Sequence, residues 1–312
     1  MNSSGNMSWR VRAGLVLVAL VMVSIPSAIM AVRITSHPRY PPSAITENGG
    51  DNSMYSSGGS NATTPDSSYP TPSDSSSPNT TPTTPAAPTT PSIPSKYAGL
   101  LEFSGYYWKI KDFASPALPG PNIWSKNNVW VDDSGNLHLK VSNDGGVWSC
   151  AELQTADLLG FGTYEFQITG HIDSMDPNVV FAMFTYPLSN RPRGTDEIDM
   201  EFSRWGNPNF YNGFYGAWGA DPSVGQIEHN FYFSLPSEVS TYKFVWDSKG
   251  IYFETTCGGK VIASWQYTPQ DNLKGVAQQA MPVHISLWLF KGRVPKDGQE
   301  IVVNNFTFVP IS

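Results

Sequence analysis

The chain has 312 residues and a net charge of −7, with only 14% charged residues but 26 Pro and 10 Trp. The acidic balance provides no basic surface to neutralise phosphates, so we expect no nucleic-acid partner. Two cysteines, Cys150 and Cys257, exclude a disulfide-dense scaffold, and neither a CxxC pair nor the spacing of the five histidines indicates a metal site. An aromatic-rich chain with few charges suits an uncharged partner.

Residues 1–33 form the first of three predicted regions. Residues 13–32 carry no charge and are just long enough to span a hydrocarbon core as a helix, and two arginines precede them. A cleaved signal peptide is the alternative, because residues 15–23 resemble its apolar region, although no clean cleavage site follows. We expect a membrane anchor, or secretion after cleavage. Either reading places the rest of the chain outside the cytoplasm.

Residues 34–95 form a predicted disordered linker. Pro, Ser and Thr fill 34 of the 55 positions from residue 41 to residue 95. Apolar residues are too few here to offset the loss of chain entropy, so this region cannot build a core. Glycosylation sequons begin at Asn61 and Asn79. The region is interpreted as a semi-extended stalk that holds the next domain away from its attachment.

Residues 96–312 form a predicted domain that holds nine of the ten tryptophans. Short runs of alternating apolar and polar residues occur throughout this region, and no long stretch has the periodicity of a helix. The runs that predict strands are residues 137–141, 164–168 and 283–290, and residues 242–254 predict a hairpin. Many short strands at this spacing predict an all-β sandwich or barrel.

One predicted strand, Asp196 to Phe202 (DEIDMEF), carries an unusual set of acids. Alternation places Glu197, Asp199 and Glu201 on one face, where three carboxylates repel each other. An acidic edge strand or a metal site would be the structural alternatives. Both explain the motif less well than catalysis does, because no Lys, Arg or His alternates with the acids.

The spacing of these acids suits glycoside hydrolysis. A retaining glycosidase needs two carboxyl groups about 5–5.5 Å apart, whereas residues i and i+4 of a flat strand have Cα atoms roughly 13 Å apart. Glu197 and Glu201 therefore require a curved sheet on which their side chains lean together. Asp199 would lie between them and couple to both titrations.

These residues resemble glycoside hydrolase family 16, which includes lichenases, laminarinases and xyloglucan endotransglycosylases. EIDMEF matches the E-[I/V/L]-D-x-E signature of the family. Four further segments resemble other strands of the family: SCAELQT at 149–155, GFGTYEF at 160–166, FAMFTY at 181–186 and ISLWL at 285–289. The resemblance extends over most of residues 105–310.

The resemblance implies a concanavalin-like jelly roll of two curved antiparallel sheets with an open cleft. It implies that Glu197 is the nucleophile, Asp199 its helper and Glu201 the general acid/base of a double displacement with retention. Glu165 and Gln167 match family positions that contact sugar hydroxyls, and Trp288 matches the tryptophan that forms the family's sugar platform. The other candidate substrate-binding residues are Trp205, Asn212, Tyr215 and Trp218.

Two departures from the family bear on the substrate and on metals. The motif has no inserted residue, as in the lichenase and xyloglucan-transferase branch, yet the sequence that follows Phe202 is unlike that of lichenases. The structural calcium of the family uses an Asp in the last strand, where this chain has Asn305. We therefore expect neither a metal nor an organic cofactor.

The sequence thus predicts an endo-acting hydrolase of a β-linked polysaccharide, of the β-glucan type, that functions as a monomer. Two alternatives stay open. A transglycosylase of the same fold would pass the cleaved chain to a sugar hydroxyl of a cell-envelope polysaccharide. A lectin-like surface protein would bind glycans without turnover, although it would have no use for three clustered acids.

Overall fold

The structure is a computed structural model that describes residues 95–187 and 194–311. Within these residues, no helix is long and apolar enough to cross a membrane. The hydrophobic segment at 13–32 and nearly all of the predicted linker lie outside the described residues, so the anchor and linker remain predictions.

The described residues form strands with only short helical turns between them. The single α-helix, α1, covers Asn272–Gly275, and the 3-10 turns cover Ser95–Tyr97, Lys126–Asn128, Ile172–Ser174 and Phe290–Gly292. The strands are β1 Leu101–Phe103, β2 Tyr106–Ile110, β3 Phe113–Ala117, β4 Asn122–Trp124, β5 Val129–Val131, β6 Leu137–Asp144, β7 Val147–Thr155, β8 Gly162–Thr169, β9 Val179–Thr185, β10 Glu197–Phe202, β11 Gly213–Trp218, β12 Gln226–Phe231, β13 Val239–Trp246, β14 Ile251–Cys257, β15 Lys260–Tyr267, β16 Val283–Leu289 and β17 Gln299–Pro310.

The strands make two antiparallel sheets. The front sheet has the order β1-β2-β7-β16-β9-β10-β11-β12. The back sheet has the order β5-β6-β17-β8-β13-β14-β15. The end of β6 also pairs with β7, so this hairpin joins the two sheets, and β4 adds a short parallel pairing to β7. The all-β prediction is confirmed, as are the predicted strands and hairpin.

The core lies between the two sheets and is rich in aromatic residues. Phe202 of the front sheet meets Tyr242 of the back sheet with ring centroids 4.9 Å apart, and Tyr215 stacks on Phe253 at 5.1 Å. All four side chains are completely buried. Such large rings remove much apolar area from water and hold the sheets at a fixed separation.

The two sheets turn opposite faces away from this core. We call the outward face of the front sheet the acidic face; it carries Glu197, Asp199 and Glu201 of β10. We call the outward face of the back sheet the back face; it carries Glu165 and Gln167 of β8. Strand β16 is buried at all seven positions, on both of its faces, so the acidic face is recessed at its centre.

Cys150 and Cys257 are both buried free thiols. Cys150 belongs to β7 of the front sheet and Cys257 to β14 of the back sheet. Burial raises the pKa of the Cys150 thiol to about 12, which makes it unreactive at neutral pH.

Candidate active site

Strand β10 places three carboxyl groups in a row on the acidic face. Its alternating sequence points Glu197, Asp199 and Glu201 outward, while the apolar residues between them are completely buried. Because β10 pairs with β9 on one side and β11 on the other, it is not an edge strand. This excludes the protective acidic edge as an explanation of the motif.

Glycine occupies the position opposite Asp199 on β11 for a steric reason. A Cβ atom at Gly216 would lie 2.5 Å from the ring of Phe214 and 3.2 Å from Oδ2 of Asp199. Any side chain at this position would displace the ring or the carboxyl group. The absence of a side chain at Gly216 thus leaves space for the carboxyl group of Asp199.

All three acids have raised pKa values. Loss of water on burial raises the pKa of Glu197 to about 7. Burial and the negative charge of Glu197 raise the pKa of Glu201 to about 8. Burial, followed by the charges of both glutamates, raises the pKa of Asp199 well above its usual range. Among the described residues, no cationic side chain pairs with these acids.

The contact between Glu197 and Asp199 affects their two pKa values in opposite directions. It lowers the pKa of Glu197 and raises that of Asp199. Of these two acids, Glu197 is therefore favoured as the carboxylate and Asp199 as the protonated acid, whose carboxyl group can donate a hydrogen bond to Glu197. The negative charge of Glu197 likewise favours the protonated form of Glu201.

Tryptophan rings flank both ends of this row. Trp218 pairs with Glu197 across β10 and β11 and is half-buried. Beyond the other end, Trp205 contacts Trp288 edge to face, with ring centroids 6.3 Å apart, and packs on Phe290 at 5.5 Å. The φ angle of +50° at Trp205 turns the chain sharply after β10. Three of the predicted binding residues therefore lie on the acidic face.

Two predicted binding residues lie elsewhere. Glu165 and Gln167 are exposed on the back face, and they pair there with Lys243 and Thr241 of β13. The core separates the back face from the acidic face, so these side chains cannot contact a sugar bound beside Glu197. The alternating sequence correctly predicted that both side chains lie on the polar face of their strand. It does not predict which of the two sheets contains that strand.

The structure also corrects the predictions that Tyr215 and Asn212 bind substrate. Tyr215 is completely buried on the core side of the front sheet, where its hydroxyl meets Thr255 Oγ1 at 2.7 Å. Asn212 is 3% exposed. Its amide nitrogen donates to the carbonyl oxygens of Asp173 and Phe233, and its oxygen accepts from the Phe233 N–H. Its polar atoms hold two chain segments together and leave none for a sugar.

The acidic face also carries a charged network that the sequence analysis missed. Glu152 of β7 is buried and joins Lys111 at 2.8 Å and Nδ1 of His284 at 3.4 Å. Burial alone would raise the pKa of Glu152, but the contacts with His284 and Lys111 hold it below its usual value. The three residues are distant in sequence, and the pairing of β7 with β16 on one side and with β2 on the other brings them together.

The region of Asn305 does not fit a calcium ion. Oδ1 of Asn305 accepts a hydrogen bond from Ser104 Oγ at 3.0 Å, and Asn305 contributes no negative charge. The described residues contain no group of three or more His, Cys, Asp and Glu side chains that could hold a metal. Calcium prefers several oxygen ligands that include carboxylates.

Solved structures share this fold at low sequence identity. The chain matches a Bacillus licheniformis beta-glucanase with 19% identity and a TM-score of 0.51, covering 65% of this chain and 92% of the other. It matches a lichenase from a mouse hindgut metagenome with 19% identity and a TM-score of 0.50, covering 65% and 93%. A laminarinase from Flavobacterium sp. UMI-01 matches with 12% identity and a TM-score of 0.50, covering 68% and 96%. These likenesses support a jelly-roll sandwich.

No curated protein sequence matches this chain. The family model for glycosyl hydrolases family 16, in contrast, matches residues 121–301, which is more than half of the chain. This range contains all of β10 and the strands on either side of it. With the row of acids that its signature requires in place on β10, the chain belongs to glycosyl hydrolases family 16.

Proposed function

We propose that this protein is a retaining, endo-acting glycosidase that hydrolyses a β-linked polysaccharide of the β-glucan type. The observation that supports this most is the row Glu197–Asp199–Glu201, in which three acids with raised pKa values lie on one recessed face and none of them pairs with a cation among the described residues. Membership of the family makes glycosidase chemistry the expected use of such a row.

In the first step, the Glu197 carboxylate attacks the anomeric carbon. The C–O bond to the leaving sugar breaks as Glu201 gives its proton to the leaving oxygen, and a covalent glycosyl-enzyme forms. Asp199 supports this step by donating a hydrogen bond to the nucleophile, which orients the attacking oxygen while Asp199 keeps its proton. Burial and the charge of Glu197 together raise the pKa of Glu201; as Glu197 loses its charge, the second cause disappears, so Glu201 becomes a better proton donor.

In the second step, Glu201 acts as a base. It takes a proton from water, whose oxygen attacks the anomeric carbon and displaces Glu197 as a carboxylate. Glu201 is then protonated again and the site is restored. Two inversions at the same carbon give net retention of configuration. If a sugar hydroxyl replaces water in this step, the product is a transglycosylated chain.

The position of β10 within the front sheet supports internal cleavage. Five strands lie on one side of β10 and two on the other. At about 4.8 Å per strand, the sheet extends roughly 24 Å to one side and 10 Å to the other. A polysaccharide that crosses the strands would thus contact the protein on both sides of the scissile bond.

The names of structural relatives suggest which polymers to test first. The three solved proteins are named as a beta-glucanase, a lichenase and a laminarinase. We extend this to β-glucan as the substrate class. The sequence further leads us to propose an extracytoplasmic location, with residues 13–32 as anchor or signal peptide.

The test is turnover of a polysaccharide panel by the purified chain. The panel contains β-1,3-, β-1,3-1,4- and β-1,4-glucans, xyloglucan and galactans, and both reducing ends and product sizes are followed. We expect new reducing ends from a β-glucan, and none with Glu197→Gln. Longer products without new reducing ends would establish the transglycosylase instead. Binding without turnover would establish the lectin-like alternative and overturn the proposed function.

A further inference from the structure

His284 lies on the acidic face, in line with the middle acid of the catalytic row. It pairs with Phe184 of β9, which in turn pairs with Asp199 of β10. Two strand spacings separate His284 from β10, a distance of roughly 10 Å. This is too far for contact with the bond that is cut but near enough for contact with the adjoining sugar.

Three contacts fix the orientation of the His284 ring. It stacks on Phe184 with centroids 4.7 Å apart and an interplanar angle of 23°, and it meets Tyr186 edge to face at 6.3 Å. Nδ1 contacts Oε1 of Glu152 at 3.4 Å. Glu152 in turn is held by Lys111 at 2.8 Å. With 7% of its surface exposed, the side chain has little freedom to reorient.

The lysine of this network is itself fixed. Its ammonium group donates to the Leu118 carbonyl oxygen at 2.8 Å and lies 3.9 Å from the ring centroid of Trp124. Lys111 therefore neutralises Glu152 without reaching towards a ligand. A neutralised Glu152 gives the network no net attraction for ions, which suits an uncharged ligand.

The second ring nitrogen of His284 has no partner among the described residues. Every hydrogen bond of the ring involves Nδ1, and Nε2 is not sealed from solvent. Because the Glu152 carboxylate can only accept, Nδ1 carries a proton and Nε2 is the ring atom left for a ligand. A polar atom without a partner on a largely buried side chain calls for a hydrogen bond from a ligand or water, and a hydroxyl group can both donate and accept.

We propose that Nε2 of His284 forms a hydrogen bond with a hydroxyl group of the sugar next to the one that Glu197 attacks. Glu152 and Lys111 are positioning residues, which hold the tautomer and the angle of the ring. This inference rests on the proposed function, since it concerns the same substrate. It adds a polar contact to the face that carries the three acids.

His138 on the back face provides a matched control. Like His284, it contacts carboxylates and stacks on an aromatic ring, here Trp130 at 4.7 Å. Both of its nitrogens are used, however: Nδ1 meets Glu300 at 2.7 Å and Nε2 meets Asp132 at 3.2 Å. His138 therefore has no atom left for a sugar.

The first experiment compares His284→Phe with His138→Phe. Phenylalanine keeps the stack on Phe184 and removes the ring nitrogens, so it cannot form the hydrogen bond. On the β-glucan that the wild-type protein cleaves, we expect His284→Phe to raise KM by about 2- to 12-fold, the effect of one hydrogen bond, with little change in kcat. Gluco-oligosaccharides too short to reach His284 should show no increase. His138→Phe should match the wild type throughout.

The positioning role has its own readout. Lys111→Met should raise KM in the wild type but have no further effect in His284→Phe, because both act through the same nitrogen. An unchanged KM in a folded His284→Phe protein would overturn the proposal while leaving the proposed function intact. Absence of both binding and turnover in the wild-type protein would instead reject the proposed function.

A second measurement avoids any change at His284. In the Glu197→Gln protein, gluco-oligosaccharides of three to six units are titrated while the histidine ring ¹⁵N resonances are followed. We expect the Nε2 resonance of His284 to move on binding and that of His138 to stay. Saturable oligosaccharide binding without a shift at His284 Nε2 would overturn the proposal, even if the His284→Phe protein fails to fold.

Discussion

The acidic face and the back face are both polar faces of alternating strands, but their charges are organised differently. On the back face, Glu254 pairs with Lys243 at 2.6 Å, and this contact lowers the pKa of Glu254. On the acidic face, Glu197 and Glu201 have no such cation among the described residues, and burial raises their pKa values. Paired charges stabilise a fold, whereas unpaired buried acids cost stability and are retained for chemistry.

Exchange of one carboxyl for an amide on each face should give the largest contrast. Glu197→Gln removes the nucleophile, so we expect kcat to fall by about 10³-fold or more. Glu165→Gln on the back face should leave kcat and KM unchanged. Release of reducing ends from the best glucan of the panel measures both. Loss of activity in Glu165→Gln would contradict the separation of the two faces.

The pH profile of kcat/KM should report the coupled acids of the acidic face. Activity should fall about tenfold per pH unit above about 8, where Glu201 loses its proton. In Glu197→Gln, burial remains but the negative charge is gone, so the pKa of Glu201 should drop. Carboxyl ¹³C titration of both proteins checks this. An unchanged Glu201 pKa in the variant would show that the two acids do not interact.

The two faces should respond to pH with opposite signs in stability. Glu201 has a raised folded-state pKa, so the folded protein binds more protons than the unfolded one between pH about 4.5 and 8, and stability falls as pH rises through this window. Glu201→Gln should thus stabilise the protein at pH 8, by about 1–3 kcal/mol.

Glu254 provides the comparison on the back face. Its folded-state pKa is lowered, first by the hydrogen bond from Lys243, so its contribution is present at neutral pH and lost as pH falls. Glu254→Gln should destabilise at pH 7 by about 0.5–1 kcal/mol, since the pair is partly exposed. Urea unfolding at pH 5 and pH 8 measures both variants. A change in unfolding free energy of the same sign in Glu201→Gln and Glu254→Gln would contradict the opposite pKa shifts of these two residues.

A tryptophan on each face offers a smaller contrast. Trp288→Ala should weaken binding of gluco-oligosaccharides by roughly 2- to 12-fold, the value of a stacked aromatic contact. Trp130→Ala on the back face should not change this affinity. Calorimetric titration in the Glu197→Gln background separates binding from turnover. Equal affinities of the two alanine variants would remove Trp288 from the binding face.

No effect on substrate binding is expected at Tyr215, which lies between the faces. Tyr215→Phe removes the hydroxyl that meets Thr255 at 2.7 Å in the core. We expect a loss of about 1 kcal/mol in unfolding free energy and an unchanged KM. Thermal unfolding and steady-state kinetics of the same preparation check both. A raised KM at unchanged stability would return Tyr215 to the substrate site.

The sequence predicted the all-β fold and the placement of three acids on one strand face, because both depend on local alternation. It could not place Glu165 and Gln167, since their distance from Glu197 depends on how strands join into sheets. The same alternation could have separated Tyr215 from Trp218, which are an odd number of positions apart on β11. The Lys111–Glu152–His284 network depends on long-range pairing and leaves no local pattern.

The stereochemistry of cleavage tests the central claim most directly. The claim is that Glu197 and Glu201 act as a nucleophile and an acid/base pair on the acidic face, which requires retention. ¹H NMR of the anomeric protons during early hydrolysis of a β-glucan oligosaccharide distinguishes the outcomes. We predict that the β-anomer forms first and then mutarotates. First formation of the α-anomer would contradict the double displacement and the role of Glu197 as nucleophile.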